Sequence, residues 1–181
     1  MAASRPLNTA FEMNAARLFI ALWPSEAVRH ELAARRDAWI WPRSASPVPT
    51  ERLHVTLHFL GDVERELIPN LADALAVPFA PFSLQLGSHS LWPHGIAVLE
   101  PDVVPSPLMH LHLRLGTALE GSGFVLDSRL YRPHVTLARR AGTAAPPAPT
   151  SPLNWAVDGY RLMESTPGPD GGYMTLRSYP D

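Results

Sequence analysis

The chain has 181 residues, 46% of them hydrophobic and 18% charged, and its formal net charge of −2 comes from 15 basic and 17 acidic side chains. That balance excludes the long basic surface of a generic duplex-DNA binder. Every basic residue is Arg and there is no Cys, so Schiff-base lysine chemistry, Walker-type phosphate binding, disulfides, thiolate nucleophiles and cysteine zinc sites are excluded as well.

The length fits one globular domain, or two small lobes that share a core. No run approaches the roughly 20 apolar residues of a membrane span, so a soluble cytoplasmic protein without a membrane partner is expected. The 20 Pro are spread between apolar segments and act as punctuation.

Residues 1–16 lack periodicity and read as a loose leader, with the domain running over 17–181. Arg17–Leu22 is a short apolar strand ended by Trp23-Pro24, and Ser25 is placed to cap a helix over Glu26–Trp39. Beyond a Pro-rich loop, Leu53–Leu60 (LHVTLHFL) alternates as a strand and stops at Gly61. Pro69 suits the first turn of a helix that reaches about Val77. Phe82–Leu86 and Ile96–Leu99 read as strands on either side of a turn region, SHSLWPHG. Leu108, Leu111, Leu115 and Leu119 repeat at helical spacing within Pro105–Gly121. The rest reads as a strand at Arg132–Ala138, an Ala/Pro-rich loop at Ala141–Pro152, and strands near Trp155–Met163 and Gly172–Tyr179. Both halves alternate strands with helices, which predicts two lobes packed together.

The tetrapeptide HVTL occurs twice, as His54–Leu57 and as His134–Leu137. Residues two apart on a strand share a face, so each copy presents one imidazole beside one hydroxyl while Val and Leu face the other way. Two imidazoles meeting in a cleft supply a base for water and an acid for a leaving oxygen near neutral pH. Thr56 and Thr136 are placed to bond non-bridging phosphate oxygens, and Arg139 to stabilise the charge that builds in the transition state. Arg139 lies an odd number of residues after His134, so the end of its strand must turn for it to reach the same face. A strained cyclic phosphodiester suits this equipment, because no metal is needed to expel its leaving group.

The paired HVTL motifs, the opening RLFIALWP, the strand LHVTLHFLG and the segment RPHVTLAR resemble the two-histidine (2H) phosphoesterases, in the bacterial RNA 2′,3′-cyclic phosphodiesterase branch, also described as 2′-5′ RNA ligases. The resemblance implies a bilobal α+β fold of two antiparallel sheets related by a pseudo-twofold axis, with helices outside and the site between the lobes. It implies catalytic His54 and His134, with Thr56, Thr136 and Arg139 binding the substrate phosphate and Phe19 as an aromatic near the cleft. It also implies a substrate, RNA ends or small nucleotides carrying a 2′,3′-cyclic phosphate, opened to a 2′-phosphate; a monomeric enzyme without cofactor or metal is expected. By the same resemblance His54 is the acid and His134 the base, with the reverse order left open. Two other functions remain in view, an RNA-end binding module with little catalysis and an enzyme that joins RNA ends.

Other residues carry weaker signals. His58 is placed on the face of His54 and Thr56, at the rim of the cleft. His110 and His112 are two apart on a helix and point in different directions, and His89 and His94 lack a carboxylate cluster, so neither pair predicts a metal site. Arg132 and Arg140 flank the second motif as phosphate contacts or surface charges, and Trp92 is a candidate for base stacking.

Overall fold

The apolar run near the N-terminus becomes the most enclosed strand of the protein. In the computed structural model, which describes residues 14–166, 168 and 171–180, β1 (Ala15–Leu22) lies between two antiparallel neighbours, β3 (Val55–Glu64) and β8 (Tyr160–Ser165). Leu18, Ile20 and Leu22 enter the main core, while Phe19 and Ala21 face the other way and cluster with Met163 and Trp23. A strand covered on both faces reads as a continuous apolar run, which is what RLFIAL is. Ala15 and Ala16, assigned to the leader from sequence, belong to this strand; residues 1–13 of that leader lie outside the described residues.

Helix α1 (Glu26–Asp37) starts where Ser25 accepts a hydrogen bond from the Val28 amide, with Glu26 in its first turn and Arg35 and Arg36 in its last, matching the helix dipole. It stops two residues before the predicted Trp39, which is buried and stacks on Trp41. Helix α2 (Ile68–Ala74) carries Pro69 in its first turn and ends short of Val77. Helix α3 (Ser106–Gly121) buries the predicted Leu108, Leu111, Leu115 and Leu119 in the core. No helix among the described residues is long and apolar enough to cross a membrane.

The remaining strands are β2 (Ser46–Pro47), β4 (Phe82–Trp92), β5 (Ile96–Pro101), β6 (Val135–Arg139), β7 (Leu153–Val157) and β9 (Tyr173–Tyr179). All pairings are antiparallel and follow one path, β7-β4-β5-β6-β3-β1-β8-β9, with β2 added on β6. A single residue pair, Val55 with Val135, joins β3 to β6 and therefore joins two groups of four strands. This is a mixed α and β fold built on a curled antiparallel sheet.

Three sequence-based boundaries need correction. The strand containing the first HVTL runs through Gly61 to Glu64, because Gly61 takes φ +74° at an irregularity in the pairing with β1 and the ladder resumes beyond it. Most of SHSLWPHG is strand, with Ser88–Trp92 paired to Ile96–Glu100, and only Pro93–Gly95 turns. Trp155–Met163 is two strands in different halves of the sheet, since β7 pairs with β4 and β8 with β1. Between them Gly159 passes so close to the Tyr179 carbonyl that a Cβ there would overlap its oxygen.

Candidate active site

Both motif histidines sit one residue ahead of their strands, and both are held in the same way. The Nδ1–H of His54 donates to the Arg52 carbonyl at 2.6 Å, and that of His134 donates to the Arg132 carbonyl at 2.7 Å. A carbonyl only accepts, so each bond fixes the proton on Nδ1 and leaves Nε2 as the working nitrogen. Nε2 of His54 lies 3.1 Å from the Thr56 hydroxyl, which donates to it while the ring is neutral.

The strands then depart from simple alternation at the same place. In β3, Thr56 and His58 oppose the adjacent residues Ala21 and Ile20; in β6, Thr136 and Ala138 oppose the adjacent residues Val98 and Ala97. Each motif leucine, Leu57 and Leu137, is therefore the extra residue of a β-bulge and is buried in the core. The bulges reset which side chains face the cleft. Past the bulge, Phe59 and Arg139, each five residues beyond its histidine, come to the same cavity as His54, Thr56, His134 and Thr136. The odd offset of Arg139 is resolved here, by a bulge rather than by a turn at the strand end. The bulge also corrects the placement of His58, which turns away from the cleft and donates from Nε2 to the His112 carbonyl at 2.9 Å on α3.

The cavity measures about 380 Å³ and is lined by both histidines, both threonines, Arg139 and Phe19, so all six sequence-selected residues converge on it. Phe19 is buried, with its ring centroid 5.1 Å from that of His54. Trp23 stacks on the same imidazole at 5.5 Å and 19°, and Tyr173 meets it edge-on at 5.4 Å. On the other side, Trp92 packs on His134 at 4.3 Å. Glu100 holds this wall in place, accepting from Trp92 Nε1 at 3.1 Å and from Arg132 at 2.8 Å, while the Arg132 guanidinium lies 4.4 Å over the Trp92 ring. Arg132 is thus committed to an ion pair, and Arg140 is bonded to Ser46. Arg139 is exposed and makes no ion pair among the described residues.

Burial dominates the electrostatics. It pushes the His54 imidazole down to about 4, aided by the charges of His134 and Arg139 and opposed by the Arg52 carbonyl. His134 is also lowered, first by burial, with Arg132 and Arg139 acting the same way and the Arg132 carbonyl and Glu100 carboxylate opposing. Near neutral pH the cleft therefore presents two neutral imidazoles beside the Arg139 guanidinium, an arrangement that favours an anion. Among the described residues no group of three or more His, Asp or Glu is gathered as a metal site.

Several lining or supporting residues escaped the sequence reading. Glu100 carried a signal, as a lone carboxylate at the end of the apolar strand IAVLEP, and Trp23 lay within the quoted RLFIALWP. Arg52 and Tyr173 had none, because only the folded chain brings them beside His54.

The model of the 2′-5′ RNA ligase superfamily matches residues 24–166. An RNA 2′,3′-cyclic phosphodiesterase of Thermus thermophilus is 31% identical over 176 residues, covering 88% of this chain and 87% of the relative. Its Escherichia coli K12 namesake is 30% identical over 155 residues, covering 83% and 87%. Among solved structures, E. coli LigT complexed with 3′-AMP superposes with a TM-score of 0.83 at 27% identity, covering 91% of this chain and 97% of the other. A Thermus thermophilus structure superposes with a TM-score of 0.75 at 28% identity, covering 90% and 96%.

Proposed function

The chain belongs to the 2′-5′ RNA ligase superfamily, and from that premise we propose that it is a cytoplasmic, monomeric RNA 2′,3′-cyclic phosphodiesterase that works without a metal. The observation that carries this reading is the matched pair of imidazoles, each locked through Nδ1 to a backbone carbonyl and each next to a threonine on a shared cavity with Arg139. The relatives' names supply the substrate class, and E. coli LigT structures with 3′-AMP, ATP and NADP+ support nucleotide binding. The two four-stranded groups, each with its HVTL strand bulged at the leucine, are read as halves related by a pseudo-twofold axis.

In the reaction, a neutral imidazole takes a proton from water as the water oxygen attacks phosphorus. The P–O3′ bond breaks, and a protonated imidazole delivers its proton to O3′, leaving a 2′-phosphate and a free 3′-hydroxyl. Thr56, Thr136 and Arg139 bond the non-bridging oxygens, whose charge rises in the transition state. Phe19 presents an aromatic edge to the bound nucleoside. The binding of an anion between two depressed imidazoles raises their affinity for the one proton that the cycle needs.

The family resemblance makes His54 the acid. One feature favours the reverse: Glu100 supports a proton on His134, whereas burial drives His54 further down. A cyclic substrate with sulfur at the bridging 3′ position separates the two, because its thiolate leaves without a proton. The alanine variant of the acid histidine regains turnover on it, and that of the base does not.

The overall reading is tested by phosphorus-31 NMR of a 2′,3′-cyclic nucleotide with enzyme and excess chelator. A 2′-monophosphate product, lost in His54→Ala and in His134→Ala, is expected. Full turnover in either variant, or a requirement for added metal, refutes it.

A further inference from the structure

The wall behind His54 has a second side. Trp23 and Tyr173, which pack on the imidazole, also line an adjoining pocket together with Arg29, Arg52 and Glu51. Arg52 and Tyr173 line both cavities, so the two are continuous along that edge. The guanidinium of Arg29 lies 5.5 Å from the Trp23 ring centroid and that of Arg52 lies 5.7 Å from that of Tyr173, which places two cations against the two aromatic walls.

Arg29 donates to the Pro24 carbonyl, but neither guanidinium has an ion-pair partner among the described residues, and the Nε of each is buried without an acceptor. Among the described residues Glu51 is the carboxylate on the lining, exposed and without an ion-pair partner. Two under-satisfied guanidiniums that line one pocket favour the binding of an anion there. Their fork geometry suits the oxygens of a phosphate.

We infer that this pocket is a subsite for the phosphodiester on the 5′ side of the reacting nucleotide, so that the enzyme selects the end of an RNA chain over a free cyclic mononucleotide. The inference rests on the cyclic-phosphate reading of the main cleft. With the cyclic phosphate between His54 and His134, the chain leaves over the shared edge of Arg52 and Tyr173, and its next phosphate meets Arg29. Arg29 is a specificity residue in this scheme and takes no part in the chemistry.

Calorimetric binding tests the subsite without relying on turnover. The ligands are a nucleoside 2′-monophosphate, a dinucleotide ending in a 2′-phosphate with a natural linkage, the same dinucleotide with an uncharged methylphosphonate linkage, and a nucleoside 2′,5′-bisphosphate. The natural dinucleotide is expected to bind about tenfold more tightly than the methylphosphonate, the change typical of one charge-assisted hydrogen bond. Arg29→Gln removes that difference, and Glu51→Gln, which takes away the opposing charge, widens it by about two- to threefold. Opposite effects from neighbouring substitutions do not arise from misfolding.

Equal affinities for the two dinucleotides, or a difference that survives Arg29→Gln, overturns the subsite. A gain for the bisphosphate without one for the dinucleotide overturns its assignment to an RNA chain. Turnover of a cyclic mononucleotide is followed separately. Its absence in the unaltered enzyme counts against the proposed reaction and leaves the binding result to decide the subsite.

Discussion

Replacing His112 by Phe tests how burial sets the ionisation of this fold. On the helix side of β3, three rings stack almost in parallel: His58 on His112 with centroids 4.1 Å apart, and His112 on Tyr131 at 3.9 Å. His112 Nδ1–H donates to the Leu57 carbonyl at 3.1 Å, which ties α3 to the bulge of the first motif. Burial, reinforced by the charge of His58, lowers His112 from 6.5 to about 4, and burial lowers His58 as well. The folded pKa lies below the unfolded one, so the unfolded chain binds more protons between them. The His112 contribution to stability is therefore full above about pH 6.5, falls as the pH drops toward 4 and levels off below that. A shift of this size sets an upper limit of about 3 kcal/mol. Solvent contact at the half-buried ring reduces it to about 1–2 kcal/mol.

His112→Phe keeps the stack, because Phe has nearly the same shape, but removes both the proton and the bond to Leu57. Near pH 7 the variant loses that hydrogen bond and is expected to be about 1 kcal/mol less stable. Near pH 4.5 it escapes the protonation penalty and is expected to match or exceed the parent. Urea unfolding at the two pH values measures both gaps. A constant gap between variant and parent at both pH values refutes the assignment of the acid sensitivity to His112.

The pH dependence of kcat/KM follows from the same physics. Both cleft imidazoles are depressed, so a bell-shaped profile centred below 6.5 is expected, falling as the pH rises because neither ring then holds the proton that the acid must supply; a maximum in the alkaline range contradicts this. Arg139→Gln removes a phosphate donor and one of the charges that lower both histidines. It is expected to reduce kcat/KM by about 10²-fold and to move both imidazole titrations upward by NMR, whereas a loss of activity with unmoved titrations would place Arg139 away from the pair. Gly159→Ala drives a Cβ into the Tyr179 carbonyl, where backbone must move. It is expected to destabilise the protein by about 2–4 kcal/mol in denaturant unfolding, and a change below about 1 kcal/mol would show that the β7–β8 turn relaxes freely.

Much of this protein was legible from local pattern alone. Nearest-neighbour chemistry specified the Ser25 cap, the leucine stripe of α3, the doubly buried run of β1 and the His-x-Thr pairs, because helix and strand periodicities depend on residues a few positions apart. The six selected cleft residues were found for that reason, and through family likeness. What lay beyond reach depended on partners distant in sequence. The bulges at Leu57 and Leu137 exist only in register with β1 and β5, and they turn His58 away while bringing Phe59 and Arg139 in. Trp155–Met163 reads as one apolar strand, yet the crossing at Gly159 sends its halves to opposite ends of the sheet. Local pattern specifies which chemical groups are present and which alternate together. Which of them share a cavity, and how far burial moves their proton affinities, follows from long-range packing, since desolvation is a property of the whole fold around a side chain.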